Sequence, residues 1–255
     1  MNKQNLFSRK NLVAWCIVPF DAKKRDSEER AEMLDRLGLK RLAYDYRDVH
    51  IPTFDTEIET MKRHGIEILA WWGASKESLE AIERNGIHPQ IWYMGGDGTV
   101  ESEAARMKPK ALAAARLGLK VALYNHGGWF GEPENQIAII EHLKKEGIDN
   151  LGIVYNLHHG HEHLGRFPEL LGKMKPYLLA LNLNGMTHDG EAAGKKILPL
   201  GRGELDLSLL RIIRDSGWVG PIGIINHTDE DAETRLLENI EGLEWLLPQL
   251  DGNPL

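Results

Sequence analysis

Six of the eleven histidines fall in three short segments of the chain. His126 lies in the segment YNHGGWF, His227 lies in INHT, and four more lie in HHGHEH over residues 158–163. Histidine is the side chain best suited to moving protons near neutral pH or to binding a metal ion. Any one histidine alone is more often structural, so a prediction of chemistry depends on whether the fold brings the three segments together.

Amide, aromatic and charged side chains accompany these histidines. Asparagine can hydrogen-bond the hydroxyl groups of a sugar, and tryptophan offers a flat apolar face on which a sugar ring can rest. The structural alternatives are core packing for the tryptophans and a salt bridge between Asp45 and Arg47. The candidate substrate-binding residues are Asp45, Arg47, His50, Trp72, Trp92, Asn125, Trp129, Asn156, Asn182 and Asn226.

A repeated unit along the chain indicates how these residues are positioned. In each unit an amphipathic stretch ends at glycine, and a short apolar run followed by polar residues comes next. The six clearest copies contain Gly38, Gly65, Gly86, Gly118, Gly147 and Gly217. With the runs LVAWCIVPF and YLLALNLNG, the pattern predicts eight strands near residues 12–18, 41–46, 66–72, 89–94, 120–125, 151–156, 177–183 and 221–226.

Alternating helices and strands predict a parallel sheet with right-handed crossovers, and eight such units favour closure into a barrel. The predicted fold class is α/β, a single (β/α)8 TIM barrel spanning residues 1–255. An open doubly wound sheet is the alternative, but no GxGxxG or GxxxxGK[ST] motif follows a predicted strand. In a barrel the segments after the strands form the active site, and the candidate residues fall in those segments.

Strand alternation selects among the histidines. An inward-facing Gly223 would place His227 on the barrel-facing side of the last strand, and the same logic pairs Tyr124 with His126. Both histidines are candidate catalytic residues. Glu132, which follows HGGWFG, is a candidate acid, with a glutamate at a helix start as the alternative.

The composition of the chain argues against some classes of binding partner. A net charge of -7 and a pI near 5.9 argue against binding to nucleic acid, which requires clustered Lys and Arg. The run LVAWCIVPF is too short to span a bilayer, so no membrane segment is predicted. Cys16 is the sole cysteine and is interpreted as a small buried core residue. A cytoplasmic location is the default prediction, an exported mature form is the alternative, and the sequence is compatible with oligomerisation.

Three segments carry a resemblance to a known superfamily: YNHGGWF, Asn156 to His159, and GRGELDLSLLRIIRDSGWVGPIG. In these the chain resembles the sugar phosphate isomerase and epimerase superfamily, which includes xylose isomerase-like barrels and apurinic endonucleases. The most specific part is Gly201-x-Gly203 followed by Asp206 and then by GWxG before the last strand. The resemblance covers nearly the whole chain and implies a xylose isomerase-like TIM barrel.

The resemblance also implies a divalent metal held by carboxylates and a histidine after strands five to eight. The matching positions here carry no carboxylate, so the chain is a divergent member in which the usual metal site is expected to be absent. Histidines that the resemblance implies near those positions match His126 and His159. With His227 they could hold zinc or another divalent metal, and no other cofactor is expected. The positions of the four usual ligands are occupied by Tyr124, Asn156, Asn182 and either Ile225 or Asn226.

Two functions follow as hypotheses. The first is an enzyme that isomerises or epimerises a sugar or keto-sugar by proton abstraction next to a carbonyl, or that eliminates a glycosidic oxygen, with His126 or His159 as the base. The second is a catalytically altered barrel that binds carbohydrate without turnover. Nuclease action would need a basic surface and a cluster of metal ligands, and neither is evident.

Overall fold

A computed structural model describes residues 6–252 as a closed barrel of eight parallel strands in the order β1 to β8. The barrel closes where Leu12 to Trp15 of the first strand pair with Ile222 to Ile225 of the last. All eight predicted strands are present, each within a few residues of its expected position. They are β1 Leu12–Trp15, β2 Arg41–Tyr44, β3 Glu67–Trp72, β4 Gln90–Tyr93, β5 Val121–Tyr124, β6 Leu151–Asn156, β7 Leu178–Leu183 and β8 Ile222–Ile225.

Helices follow the strands and pack around the outside. They are α1 Ser27–Leu37, α2 Phe54–Arg63, α3 Lys76–Asn85, α4 Val100–Arg116, α5 Gly128–Gly131, α6 Pro133–Lys145, α7 Phe167–Met174, α8 Asp206–Asp215 and α9 Ala232–Leu246. Four of the helices begin with a side-chain cap, namely α1, α3, α4 and α9. At the start of α1, for example, the Asp26 carboxylate accepts a hydrogen bond from the Glu29 backbone. All six repeat glycines have positive φ, which is the backbone conformation that a glycine at a helix end supplies.

The largest side chains of the barrel interior are aromatic, and small and aliphatic residues pack around them. Trp15 packs on Trp92 with ring centroids 4.3 Å apart and meets Trp72 edge-on at 5.3 Å. Gly223 makes room for this arrangement, because a Cβ there would lie 2.3 Å from the Trp15 ring and 2.7 Å from Oδ1 of Asn182. The inward orientation predicted for Gly223 is therefore correct. We call Trp15, Trp72 and Trp92 the tryptophan floor.

The connection from β7 to α8, residues 184–205, crosses the barrel mouth. Its ends are joined by a bridge between Gly185 and Leu198, and Ile197 packs against the interior cluster. The Asp206 carboxylate fixes this connection by accepting hydrogen bonds from the backbone N–H groups of Met186 (2.7 Å), Gly201 (2.7 Å) and Gly203 (3.0 Å). The GxG…D motif seen in the sequence thus has a structural role in holding this segment.

No helix within residues 6–252 is long and apolar enough to cross a membrane. Residues 1–5 and 253–255, which the single-domain prediction includes, lie outside the described residues. The prediction of one domain over residues 1–255 stays a prediction.

We expect Gly223→Ala to destabilise the protein by about 1–3 kcal/mol, because the added methyl group would overlap the Trp15 ring. Urea denaturation followed by tryptophan fluorescence measures this free energy of unfolding. Gly172→Ala is the matched control, since a Cβ there meets nothing within 4 Å on an exposed face of α7. That substitution should be neutral or stabilising. Equal effects of the two substitutions would show that Gly223 has no packing role.

Candidate active site

A cavity of about 570 Å³ opens at the carboxyl ends of the strands. The tryptophan floor closes it below through Trp72 and Trp92, and Tyr124 and Cys16 line its inner wall. This is the end of the barrel at which TIM-barrel enzymes hold their active sites. The whole lining consists of Cys16, Phe20, Asp45, Tyr46, Arg47, Asp48, Trp72, Gly73, Trp92, Tyr93, Met94, Tyr124, His126, His159 and His227.

Seven of the fourteen residues nominated from the sequence line this cavity. They come from segments after the second, third, fourth, fifth, sixth and eighth strands, so the barrel brings together residues that are up to 182 positions apart in the chain, as the span from Asp45 to His227 shows. The seven are Asp45, Arg47, Trp72, Trp92, His126, His159 and His227. Their shared location is consistent with the nomination and leaves their roles to be tested.

The four nominated asparagines lie just outside the cavity lining and are fully buried. Asn125 bonds the backbone of Asn156 on the neighbouring strand, through its Nδ2 at 3.1 Å and its Oδ1 at 2.7 Å. Nδ2 of Asn226 donates to the backbone oxygen of Phe20 at 3.3 Å. Their amides therefore bond mostly protein partners, and the structure does not place them where they were expected to hold substrate hydroxyls.

Glu132, His50 and Trp129 also lie away from the cavity lining. Glu132 is the N-cap residue of α6, and its carboxylate accepts hydrogen bonds from Arg166 at 2.6 and 2.7 Å. This geometry matches the helix-start alternative, since the carboxylate is held by a guanidinium and lies outside the cavity lining. His50 accepts a hydrogen bond from the Arg47 backbone at the start of a short 3-10 helix.

Four imidazole rings form a continuous cluster at the cavity mouth, which we call the histidine cluster. The ring centroids of His126 and His159 are 4.4 Å apart, those of His159 and His158 are 3.7 Å apart, and those of His158 and His227 are 5.4 Å apart. His158 was not nominated, because a loop sequence does not show which of two adjacent histidines turns inward. The three segments that contain these histidines do meet.

Every member of the histidine cluster is held neutral at pH 7. Burial, with the added charge of His126, lowers the pKa of His159 to about 3. Burial is also the main cause of the lowered pKa of His126, His158 and His227, and the charge of Lys196 on the β7–α8 connection adds to it in each case. Neutral imidazoles can both donate and accept hydrogen bonds, which suits them to contact hydroxyl groups.

Asp45 is 2% exposed and lines the cavity, but it forms no salt bridge with Arg47. The Arg47 guanidinium instead donates to the backbone oxygens of Asp45 and Tyr46, each at 2.9 Å. One carboxylate oxygen of Asp45 accepts from the Val18 backbone at 3.3 Å, and Oδ2 has no hydrogen-bond partner. Burial raises the pKa of Asp45 to about 7.

Cys16 lies beside Asp45, and its backbone has φ 56° at the end of β1. Burial and then the Asp45 charge raise the pKa of its thiol. The sequence assigned Cys16 to the core, and it is indeed 5% exposed, but it also lines the cavity. Its position directly after an apolar strand is the sequence feature that could have indicated a place in the cavity wall.

A chain of hydrogen bonds links the ends of strands β5, β6 and β7 beneath the histidine cluster. Nδ2 of Asn182 donates to Oδ1 of Asn156 at 2.8 Å, and Nδ2 of Asn156 donates to the Tyr124 hydroxyl oxygen at 2.7 Å. We call Asn182, Asn156 and Tyr124 the amide ladder. Burial raises the pKa of Tyr124 well above its usual value, so every member of the ladder is neutral.

The metal that the superfamily resemblance implies does not fit this ladder. Oδ1 of Asn156 already accepts two hydrogen bonds, and the Ile225 side chain offers no ligand atom. The Oδ1 atoms of Asn182 and Asn226 are unpartnered, but they are uncharged amide oxygens. A hard dication needs carboxylate or other charged oxygen ligands, and these positions supply none. Among residues 6–252, no group of three or more His, Cys, Asp or Glu side chains is arranged to hold a metal ion, so His126, His159 and His227 do not form a ready metal site.

Comparisons with known proteins identify the architecture. No protein-family model matches the chain, and no curated protein matches it by sequence. Solved structures do match: a 3-keto-D-glucoside 4-epimerase from E. coli has a TM-score of 0.68 and 12% identity over 94% of this chain and 99% of its own. A xylose isomerase domain-containing protein from Salmonella typhimurium has a TM-score of 0.70 and 12% identity over 98% and 99%. The chain has the xylose isomerase-like TIM-barrel fold.

A third similar structure is a D-allulose 3-epimerase from Methylomonas sp. in complex with D-allulose. Its TM-score is 0.65, with 11% identity over 93% of this chain and 97% of its own. Matches of this kind, over nearly the full length of both partners, confirm the predicted fold class. At such low identity the likeness is one of backbone architecture.

The lowered pKa of His159 predicts a specific pH dependence of stability. The unfolded histidine has a pKa near 6.5, so below that pH unfolding takes up a proton and the stability contributed by neutral His159 is lost. On acidification from pH 7.5 to 5.5 the free energy of unfolding should fall in both proteins. The fall should be about 1 kcal/mol smaller in His159→Gln than in the natural protein. Urea denaturation at both pH values measures this.

His64→Gln provides a control of opposite sign. The hydrogen bonds that His64 donates to Asp35 and then to Glu28 raise the pKa of His64. The stability that they contribute is present below pH 6.5 and is lost as the pH rises through the raised value. Removal of His64 should therefore steepen the fall in stability on acidification. Parallel pH profiles for both variants and the natural protein would contradict a neutral, buried His159.

Proposed function

We propose that the protein is an enzyme that removes a proton next to the carbonyl group of a sugar or keto-sugar. The product would be an isomer or epimer, or an alkene if a glycosidic oxygen leaves. One observation carries the proposal: the cavity combines a flat aromatic floor with groups that can accept protons. These groups are the neutral histidines and Asp45, whose carboxylate can be protonated near pH 7. An aromatic floor packs against the apolar face of a sugar, and the polar wall bonds its hydroxyls.

The structural neighbours support the carbohydrate assignment. Two of them are epimerases of a keto-glucoside and of D-allulose, and both match over at least 93% of this chain. Fold likeness alone does not transfer an activity, because one barrel architecture carries many reactions. The chemistry is therefore argued from the residues of this cavity.

The residues have complementary roles in this proposal. Trp72 and Trp92 receive the sugar ring, and the neutral imidazoles of His126, His159 and His227 bond its hydroxyls and move protons between its oxygens. Burial keeps those imidazoles neutral, with a smaller contribution from the charge of Lys196 on the β7–α8 connection.

Deuterium exchange tests the reaction class. When the protein is incubated in D2O with a panel of aldoses, ketoses and 3-keto-glycosides, we expect deuterium at the carbon next to the carbonyl in at least one, detected by proton NMR. His126→Ala should lower kcat/KM for that sugar about 10- to 100-fold, which is the loss of one or two hydrogen bonds at the cavity mouth.

His142→Ala is the matched control, since His142 lies on the outer helix α6 away from the cavity. It should leave kcat/KM unchanged. If no sugar exchanges a proton while calorimetry detects sugar binding, the protein is instead a barrel that binds carbohydrate without turnover. If neither exchange nor binding occurs, the carbohydrate proposal is wrong.

Chelation tests the assignment of a neutral, self-bonded ladder at the usual metal position. After dialysis against EDTA, the exchange rate should stay within about twofold of its starting value, because the ladder offers a dication no charged ligand. Metal content before and after dialysis is measured by mass spectrometry. Loss of exchange on dialysis with recovery on adding zinc or manganese would contradict this expectation.

A further inference from the structure

We propose that Tyr124 and Asp45 are the catalytic pair of this cavity. The Tyr124 hydroxyl donates a hydrogen bond to the substrate carbonyl oxygen, and the Asp45 carboxylate takes the proton from the neighbouring carbon. This inference rests on the proposed function and assigns the proton from carbon to a carboxylate rather than to a histidine. It also assigns a role to a tyrosine that stands where the resemblance places a metal ligand.

The direction of the Tyr124 hydrogen bond follows from a single backbone group. The backbone N–H of His158 can only donate, and it lies 3.2 Å from the Oδ1 side of the Asn156 amide. That amide oxygen is therefore fixed as the acceptor, and its NH2 group must face the Tyr124 oxygen, which lies 2.7 Å away. The usual ambiguity between amide oxygen and nitrogen does not arise here.

Tyr124 must then act as a donor to something else. Its oxygen already accepts from Asn156, so its hydroxyl hydrogen is free to donate, and the Tyr124 side chain lines the cavity. The raised pKa of Tyr124 keeps this hydrogen in place at neutral pH. Asn182 donates to Asn156 in turn, which polarises the chain toward Tyr124. The result is a preorganised donor of the kind that stabilises an oxyanion.

Asp45 supplies the complementary acceptor. Its Oδ2 is buried without a hydrogen-bond partner, which is costly unless a ligand satisfies it. Burial raises the pKa of Asp45 and is the largest effect. The charged groups that act on Asp45 are Arg47 and Arg30, and both lower its pKa. Asp45 and Cys16 in turn raise the pKa of Tyr124, so the three groups share one electrostatic environment.

Asp45 and Tyr124 act on the carbon and the carbonyl oxygen, and the histidine cluster moves the proton between oxygens. The C–H bond next to the carbonyl breaks, its proton goes to Asp45, and its electron pair forms the new C=C bond. The carbonyl π electrons move to oxygen, where the Tyr124 hydrogen bond stabilises the developing charge. Asp45 then returns the proton to the neighbouring carbon, and a neutral histidine of the histidine cluster passes the hydroxyl proton of that carbon to the former carbonyl oxygen, which gives the isomer. For the epimer, water delivers a proton to the other face of the same carbon, and the Asp45 proton neutralises the hydroxide that is left. Neither route needs an oxidant or reductant.

Position and basicity favour Asp45 over the histidines for this step. A base works best when its pKa lies near the working pH. Asp45 has a pKa of about 7 and lies deep in the cavity, whereas burial lowers the pKa of His159 to about 3. His126 is exposed at the mouth, where it is placed to contact the outer hydroxyls.

The test compares Asp45→Asn and Tyr124→Phe with Tyr44→Phe in the sugar exchange assay. Tyr44 is the matched control: it is a fully buried tyrosine at the end of another strand, its hydroxyl has no partner, and it lies outside the cavity. We expect kcat to fall about 100-fold or more for the first two variants, with KM little changed, and to stay unchanged for Tyr44→Phe. Retention of more than a tenth of kcat by either variant would overturn the pair.

A second measurement tests the assignment of Asp45 without a substrate. It applies even if no sugar in the panel exchanges a proton, a result that would count against the proposed function rather than against the catalytic pair. Carboxyl carbon NMR of the natural protein, with Asp45→Asn to assign the signal, gives the pKa of Asp45 without substrate. A pKa above about 6 supports the assignment of Asp45 as a base, and a lower value overturns it. Circular dichroism of each variant shows whether it has folded.

Discussion

Because the eight strands close into a barrel, their inward-facing side chains share one small interior. Those side chains must fill the interior without leaving an unpaired charge. Tryptophans, small residues and neutral amides meet this requirement below the cavity. A buried charge without a partner would cost several kcal/mol, which is why the ladder of Asn182, Asn156 and Tyr124 contains only uncharged groups. Asp45 is the exception, and burial raises its pKa to about 7. The polarity of the cavity follows from this constraint.

The backbone pattern was readable from the sequence because it depends on local rules. Glycines at helix ends and short apolar runs have the same meaning wherever they occur, and they located all eight strands. The meeting of His126, His159 and His227 in one cavity also followed, since a barrel gathers the segments after its strands.

The sequence did not show which side chains from distant segments pair with one another. Glu132 meets Arg166, 34 residues away, and Asn125 meets the backbone of Asn156, 31 residues away. Such partners depend on strand register and on the height of each residue along the barrel axis, which residue types alone do not specify. For this reason both amide atoms of Asn125 and Asn156 are occupied by the protein itself, whereas Oδ1 of Asn182 and Oδ1 of Asn226 have no partner. Cys16 joins the cavity wall, and His158 joins the histidine cluster.

The amide ladder has a consequence for how this barrel could change. Each amide is held by the next, so a single carboxylate introduced at Asn156 or Asn182 would sit buried with no cation to balance it and with a donor amide facing it. Stability would fall before any benefit from metal binding was available, because one carboxylate cannot hold a dication. A carboxylate-held metal site at these positions would therefore require several substitutions together, and any single one of them would pass through a less stable protein.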